Sequence, residues 1–307
     1  MLERLAERHD VAAVVTQPDR PAGRGHKLTP TPVKRAAERL GLRVLTPEKL
    51  RAFADDARAL APEAFVVASY GKIVPQALLD IVPIAFNVHP SLLPLYRGAT
   101  PIQSAIRDGR TETAITVIAM DAGMDTGDIL LQQPEPIGEH ETYGDVHDRL
   151  AARSAPMILD ALALHADGAL TRTPQPARAR ELGITDAEIA RTLTRPLRKN
   201  DLEIDWTRTA REAVDHIRSL SPTPAARTEG APREIVKVLR AHVSAKEDEM
   251  IAGCRPGIVF AYATGRVPAI AARTGDCREV VLDSLVPPGR PVMAGREYAR
   301  SYFARNP

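Results

Sequence analysis

Phe86-Asn87-Val88-His89-Pro90-Ser91-Leu92-Leu93-Pro94 continues an apolar run that opens at Ile84. Ile84 to Val88 reads as a buried strand. Residues two apart on a strand point to the same side, so Asn87 and His89 aim at one point. Downstream, Ile115 to Ala119 reads as another strand, and the loop after it, Met124-Asp125-Thr126-Gly127-Asp128, supplies a carboxylate. Amide, imidazole and carboxylate gathered at strand ends can stabilise an oxyanion and manage a proton. That is equipment for acyl-type transfer.

Working outward, short apolar runs alternate with helical patterns up to about Leu170, which predicts a doubly wound, mostly parallel α/β sheet. Val11 to Val15, Arg43 to Leu45 and Ala64 to Ser69 are its further strands. Thr31-Pro32 and Thr46-Pro47 open helices with threonine as N-cap and proline in the first turn. Thr142 caps a long helix reaching about His165, with Asp145 placed for a capping box. Residues 171–200 hold several prolines and many arginines and read as a linker with one helical turn near Asp186 to Thr192. Beyond them come a helix, Thr209 to Leu220, and strands at Ile235 to Val243, Gly257 to Tyr262, Val267 to Arg273 and Val280 to Leu285. A last helix runs from Ala294 to Ala304. The division predicted is 1–170, a linker 171–200, and a small β-barrel domain 201–307.

Composition excludes several classes. The 307 residues are 44% hydrophobic but 4% aromatic, so the cores are built from Ala, Val, Leu and Ile. A net charge of +2 gives no global field for nucleic acid, and any RNA contact must come from local clusters. Cys254 and Cys277 form neither a C-x-x-C pair nor a disulfide framework. No apolar run approaches the ~20 residues of a membrane span. The expectation is a soluble, cytoplasmic monomer without a metal, since His9, His140, His147, His165, His216 and His242 show no ligand spacing.

Each candidate has a bland alternative. Asn87 can make an Asx-type turn and His89 can be structural. Ser91 lacks the G-x-S-x-G elbow of an activated serine. Asp125-Thr126-Gly127 is also an aspartic-protease tripeptide, but that chemistry needs two carboxylates sharing a proton. Tyr70-Gly71-Lys72-Ile73-Val74 ends a strand where open α/β sheets place ligands, and the glycine lets a flat ring approach. Residues 16–30 form an unusually long strand-to-helix loop carrying Arg20, Arg24, His26 and Lys27. A second basic group comprises Arg191, Arg195, Arg198, Lys199, Arg208 and Arg211, some of them simply solvated.

N-V-H-P-S-L-L-P-x-Y-R-G together with M-D-A-G-M-D-T-G-D resembles the folate-dependent formyltransferases. Thr16-Gln17-Pro18-Asp19-Arg20-Pro21-Ala22-Gly23-Arg24-Gly25 and Ile204-Asp205-Trp206 narrow the resemblance to the branch acting on methionyl-tRNA, nearly end to end. It implies formyl transfer from 10-formyltetrahydrofolate to the α-amine of methionyl-initiator tRNA, with Asn87, His89 and Asp125 as the catalytic set. It further implies that Ser91, Leu92, Leu93 and Pro94, the Tyr70–Val74 segment and Met124 line the folate site. Arg20, Arg24 and Lys27 would reach toward the tRNA acceptor end, with Arg195 and Lys199 tracking phosphates. The 201–307 domain would be OB-like and hold RNA.

Two departures stand out. The family begins with a hydrophobic strand and a glycine-threonine loop, and roughly 15–20 residues of that kind, a strand plus turn, are missing before Met1. The sheet is therefore expected to lack its central first strand, with a start misassigned downstream of the true one. At Ser221-Pro222-Thr223-Pro224-Ala225-Ala226, Thr223 stands where the family usually carries tryptophan, and an aromatic is usual near Ala226. Competing expectations are an enzyme formylating a small amine or hydrolysing the formyl group, and an inactive RNA-binding relic.

Overall fold

The computed structural model describes residues 1–22, 27–230, 234–245, 255–257, 259–264 and 267–305. They form two compact units, one of residues 1–99, 114–135 and 149–193, the other of 100–113, 136–148 and 194–307. Elements in chain order begin with α1 (Leu2–Arg8), β1 (Val14–Val15), β2 (Arg20–Ala22), β3 (Lys27–Thr29), α2 (Pro32–Arg39) and β4 (Val44–Leu45). There follow α3 (Ala54–Ala59), β5 (Ala64–Ala68), α4 (Gln76–Leu79), β6 (Ile84–His89), α5 (Pro101–Arg107), β7 (Glu112–Ala119) and β8 (Ile129–Pro136). Then come α6 (Tyr143–Ala166), α7 (Gln175–Leu182) and α8 (Asp186–Arg191).

In the first unit Thr31 and Pro32 do what threonine and proline do at helix starts, whereas Thr46-Pro47, expected to do the same, opens no helix: a 3-10 turn begins only at Leu50, after Lys49. Thr31 Oγ1 accepts from the Lys34 backbone N–H at 3.2 Å while Pro32 occupies the first turn. Gly41, at φ +68°, ends that helix. The sheet is mixed rather than mostly parallel. β1 pairs parallel with β4, and β5 with β6, but β6 and β7 run antiparallel. The order β5-β6-β7-β8 forms one ladder and β1-β4 a separate one. β6 is the buried centre: Phe86 is wholly inaccessible and its ring meets His165 of α6 edge-on at 5.9 Å.

β8 was not foreseen, because Pro134 and Pro136 argue against a strand. It survives as the last strand of its ladder, where a missing N–H costs little. Residues 171–200, expected as a linker with one helical turn near Asp186 to Thr192, hold that turn as α8 but also α7 and the start of a 3-10 turn, Lys199–Leu202.

The second unit continues with α9 (Ala210–Leu220), β9 (Ala226–Glu229), β10 (Ile235–Val243), β11 (Val259–Thr264), β12 (Val267–Arg273), β13 (Glu279–Val286), β14 (Met293–Ala294) and α10 (Gly295–Arg305). It is a curled antiparallel half-barrel sheet in the order β11-β12-β13-β10-β9, with β14 on β13. A full capping box starts α9: Thr209 Oγ1 accepts from Glu212 N–H and the Glu212 carboxylate accepts from Thr209 N–H. Trp206, Ile217, Val238, Leu282 and Leu285 fill the core, and the Trp206 indole N–H donates to Thr228 Oγ1 at 2.9 Å. Ala226, near which the family usually carries an aromatic, is fully buried.

One buried ion pair sits on α9. Arg218 Nε donates to Asp215 Oδ1 at 2.7 Å, with the two side chains 6% and 4% exposed, and Arg211 Nε reaches Asp215 Oδ2 at 3.1 Å. Asp215→Ala leaves Arg218 buried without its counter-charge and is expected to cost about 3–5 kcal/mol of folding free energy. Urea unfolding measures it; a loss below about 1 kcal/mol would mean that this pair behaves like an exposed one.

Candidate functional site

Strand geometry sets the first half of the site. Asn87 and His89 project from one face at the end of β6, opposite Ile118 and Thr116 of β7. The second half is the loop between β7 and β8. Asp121 Oδ1 accepts from the Gly123 N–H at 3.0 Å and takes the Thr126 hydroxyl at 2.7 Å, which closes the loop on itself. Gly127 packs so tightly that a Cβ there would lie 1.8 Å from the Ala119 carbonyl oxygen, so only glycine fits. Asp125 adopts a left-handed backbone, φ +55°, which aspartate tolerates better than most residues.

The loop brings Asp125 back to β6. Its Oδ1 accepts from Asn87 Nδ2 at 3.2 Å and its Oδ2 from the Gly98 N–H at 2.9 Å. His89 Nδ1 lies 3.6 Å from Asp125 Oδ2, too far for a hydrogen bond but close for an ion pair once the ring is protonated. The ring is oriented instead by the Tyr96 carbonyl, 3.0 Å from Nε2. A carbonyl only accepts, so in the neutral ring Nε2 carries the proton and Nδ1 presents a lone pair. His89 is 4% exposed, and burial pushes its imidazole below the ordinary value of 6.5; Asp125 opposes that, while Arg97 adds to it. The arrangement can take up a proton at Nδ1 beside a carboxylate, and Asn87 keeps one amide N–H for another acceptor.

The other expected residues divide. Ser91, Leu93 and Pro94 are buried, and Leu92 is partly exposed. The Ser91 hydroxyl donates to the Leu95 carbonyl at 2.7 Å, and Leu93 packs with Ile118 and Ile129. Gly71 is at φ +73°, and Gln17 Nε2 donates to the Tyr70 carbonyl at 2.9 Å. Ile73 is 82% exposed and Met124 50%, large apolar side chains facing outward. Lys72 and Val74 are half-buried. The Tyr70 phenol is pushed up by burial, and its oxygen has no hydrogen-bond partner among the described residues.

Arg20 is exposed on the β2–β3 hairpin, Lys27 pairs through its backbone with Ala22, and Arg24 lies outside the described residues. Arg195 turns out to be committed: its guanidinium clasps Asp201 at 2.6 and 2.7 Å and holds that carboxyl far below the usual range. Lys199 is exposed. Among the described residues no group of three or more His, Cys, Asp or Glu side chains is placed to hold a metal, and no helix is long and apolar enough to cross a membrane.

Four residues that touch this site went unassigned. Tyr96, Arg97 and Gly98 were visible only as letters of the Y-R-G stretch. Gln175, from the supposed linker, donates to the Asp125 and Gly127 carbonyls. Its sequence signal is faint: an amide between two prolines at a helix start, where a short capping side chain is usual.

Comparison with known proteins identifies the family. A "Formyl transferase" family model matches residues 2–162, and a "Formyl transferase, C-terminal domain" model matches 196–302. The methionyl-tRNA formyltransferase of Pelotomaculum thermopropionicum is 41% identical over 290 residues, covering 94% of this chain and 87% of the relative. That of Roseiflexus castenholzii is 40% identical, covering 97% and 91%. Among solved structures, the N-formyltransferase from Helicobacter canadensis in complex with folinic acid and dTDP-3-aminofucose superposes with a TM-score of 0.64 at 16% identity, over 92% of this chain and 93% of that one. With both portions matched and two-fifths identity over almost all its length, the chain belongs to the formyl transferase family, in the methionyl-tRNA formyltransferase branch.

Proposed function

We propose that the chain transfers a formyl group from 10-formyltetrahydrofolate to the α-amine of methionyl-initiator tRNA. The observation that carries the reading is the meeting of Asn87, His89 and Asp125 at the ends of β6 and β7 in a chain so similar to methionyl-tRNA formyltransferases. The amine nitrogen attacks the formyl carbon, the carbonyl oxygen takes up the electron pair, and collapse breaks the bond to the folate nitrogen N10. Asn87 Nδ2 directs its remaining N–H at the developing oxyanion. His89, neutral at physiological pH, takes the amine proton on Nδ1, and Asp125 stabilises the imidazolium; the proton ends on N10. Transfer to an amine requires no covalent enzyme intermediate, consistent with Ser91 being occupied by Leu95.

The folate surface is assigned to Tyr70, Gly71, Lys72, Ile73, Val74, Leu92 and Met124 with the backbone of Ser91, Leu93 and Pro94. Exposed Ile73 and Met124 suit the flat faces of an aromatic ring, and Gly71 permits close approach. Transfer belongs to the domain read at 1–170; that at 201–307, joined through 171–200, holds tRNA. Its curled sheet supports an OB-like reading, and the break between the β1-β4 and β5-to-β8 ladders supports a sheet without its first strand. Arg20, Arg24, Lys27 and Lys199 are assigned to phosphates. Arg195, already paired, orders the turn at Lys199–Leu202 instead. The protein is read as a cytoplasmic monomer.

Paired titrations test this. Folate should bind, and tRNA affinity should fall steeply with salt, by a log–log slope of about −0.9 per phosphate neutralised. Folate binding without salt-dependent tRNA affinity would point to a small-amine enzyme, and tRNA binding without folate to a relic.

A further inference from the structure

Gln175 is 1% exposed, and all its hydrogen-bonding capacity is filled within one unit of the fold. Its Nε2 donates to the carbonyl oxygens of Asp125 and Gly127, each at 2.8 Å. Its Oε1 accepts from Arg97 Nε at 2.9 Å and Nη2 at 2.6 Å. A glutamine offers two N–H donors and a carbonyl with two lone pairs, and none is left over. The segment carrying it is itself anchored, since Thr173 and Ile129 exchange both backbone hydrogen bonds at 2.9 Å.

We infer that Gln175 is a positioning residue for formyl transfer, coupling the loop that presents Asp125 to the loop that orients His89. It rests on the assignment of Asp125 and His89 made above. A left-handed non-glycine backbone such as that of Asp125 persists only where its surroundings over-determine it. Asn87 and Gly98 hold the carboxylate end of Asp125, and Gln175 holds the backbone end. Through Arg97, the same side chain grips the segment whose neighbouring residues do the rest. The Tyr96 carbonyl fixes the His89 ring, and the Gly98 N–H reaches Asp125. Without the amide, the carboxylate-to-imidazole spacing loses its fixed frame, while Gln175 itself makes no side-chain hydrogen bond to a residue assigned to folate or tRNA.

Steady-state kinetics on Gln175→Met and Gln175→Glu, beside wild type, Asp125→Ala and the Gln175→Met/Asp125→Ala double variant, test it, with circular dichroism for folding. Gln175→Met should lower kcat by about 100-fold, the scale of a 1 Å misplacement, with KM for both substrates within about threefold of wild type. Gln175→Glu keeps an acceptor for Arg97 but gives the two carbonyls no donor, so its kcat should fall comparably. In the Asp125→Ala background, Gln175→Met should add less than about threefold, because both act through one geometry.

Several results would overturn the inference: kcat within about threefold of wild type in either single variant, fully additive losses, or raised KM with kcat kept. Loss of the fold in both Gln175 variants would make the residue a plain core element and equally overturn it. Near-normal turnover in Asp125→Ala would instead break the site assignment itself, and the inference with it.

Discussion

His89→Ala is expected to lower the rate of formyl transfer by about 10²–10⁴-fold, the usual contribution of a positioned general base, with folate binding retained. The neutral ring is the working form, because Nε2–H is spent on the Tyr96 carbonyl and Nδ1 is left to accept. Activity should therefore be present above the imidazole pKa and lost as pH falls through it. Burial lowers that pKa, so the acid limb of the wild-type profile should lie below 6.5 and vanish in the variant. The same shift carries a stability consequence. Unfolded histidine binds a proton below its ordinary 6.5 and the folded residue does not, so the contribution is intact above that pH and lost as pH drops further. An acid limb above 6.5, or one unchanged in His89→Ala, would mean that another group titrates.

Gly127→Ala is the second large effect. A Cβ at this position would sit 1.8 Å from the Ala119 carbonyl oxygen and 2.9 Å from its carbon, backbone atoms of β7 that cannot swing aside. The loop must move, and Asp125 lies two residues away with its carbonyl and that of Gly127 both tied to Gln175. Displacement of about 1 Å at a reacting group costs about 10²-fold in rate. Turnover should fall by at least that much, and thermal unfolding, followed by circular dichroism, should stay cooperative because the clash involves only the junction of this loop with the end of β7. A fully active Gly127→Ala enzyme would show that the loop is free to reposition without consequence.

What could be read beforehand follows the physics of short range. Asn87 and His89 were legible because a buried strand announces itself as an apolar run and its period of two fixes which residues share a face. Threonine caps at Thr31 and Thr142 were legible as helix starts, since a cap is a local contact between a side chain and the next turn; the same reading failed at Thr46, where no helix follows at once. The β8 strand was hidden by Pro134 and Pro136, whose cost disappears at the end of a ladder. Asp125 was expected to gather with Asn87 and His89, but its contacts and the part played by Gly98 were hidden. That Asp125 lies 3.6 Å from the His89 ring and hydrogen-bonds Asn87 and Gly98 is a fact of the tertiary fold.

Arg195 shows the same limit from the other side. A run of arginines looks like a phosphate track, yet one of them is neutralised by Asp201, six residues on, which composition alone does not reveal. Gln175 was invisible because an amide has no periodicity and its partners lie 48, 50 and 78 residues away.

In single-turnover formylation of methionyl-tRNA by wild type and Asn87→Ala, each loaded with 10-formyltetrahydrofolate, folate occupancy should be equal and the transfer step slowed by about 10²–10³-fold in the variant, the loss of one oxyanion donor. Equal transfer rates at equal occupancy would contradict this role of Asn87, because the carbonyl would then not be held where β6 places the amide.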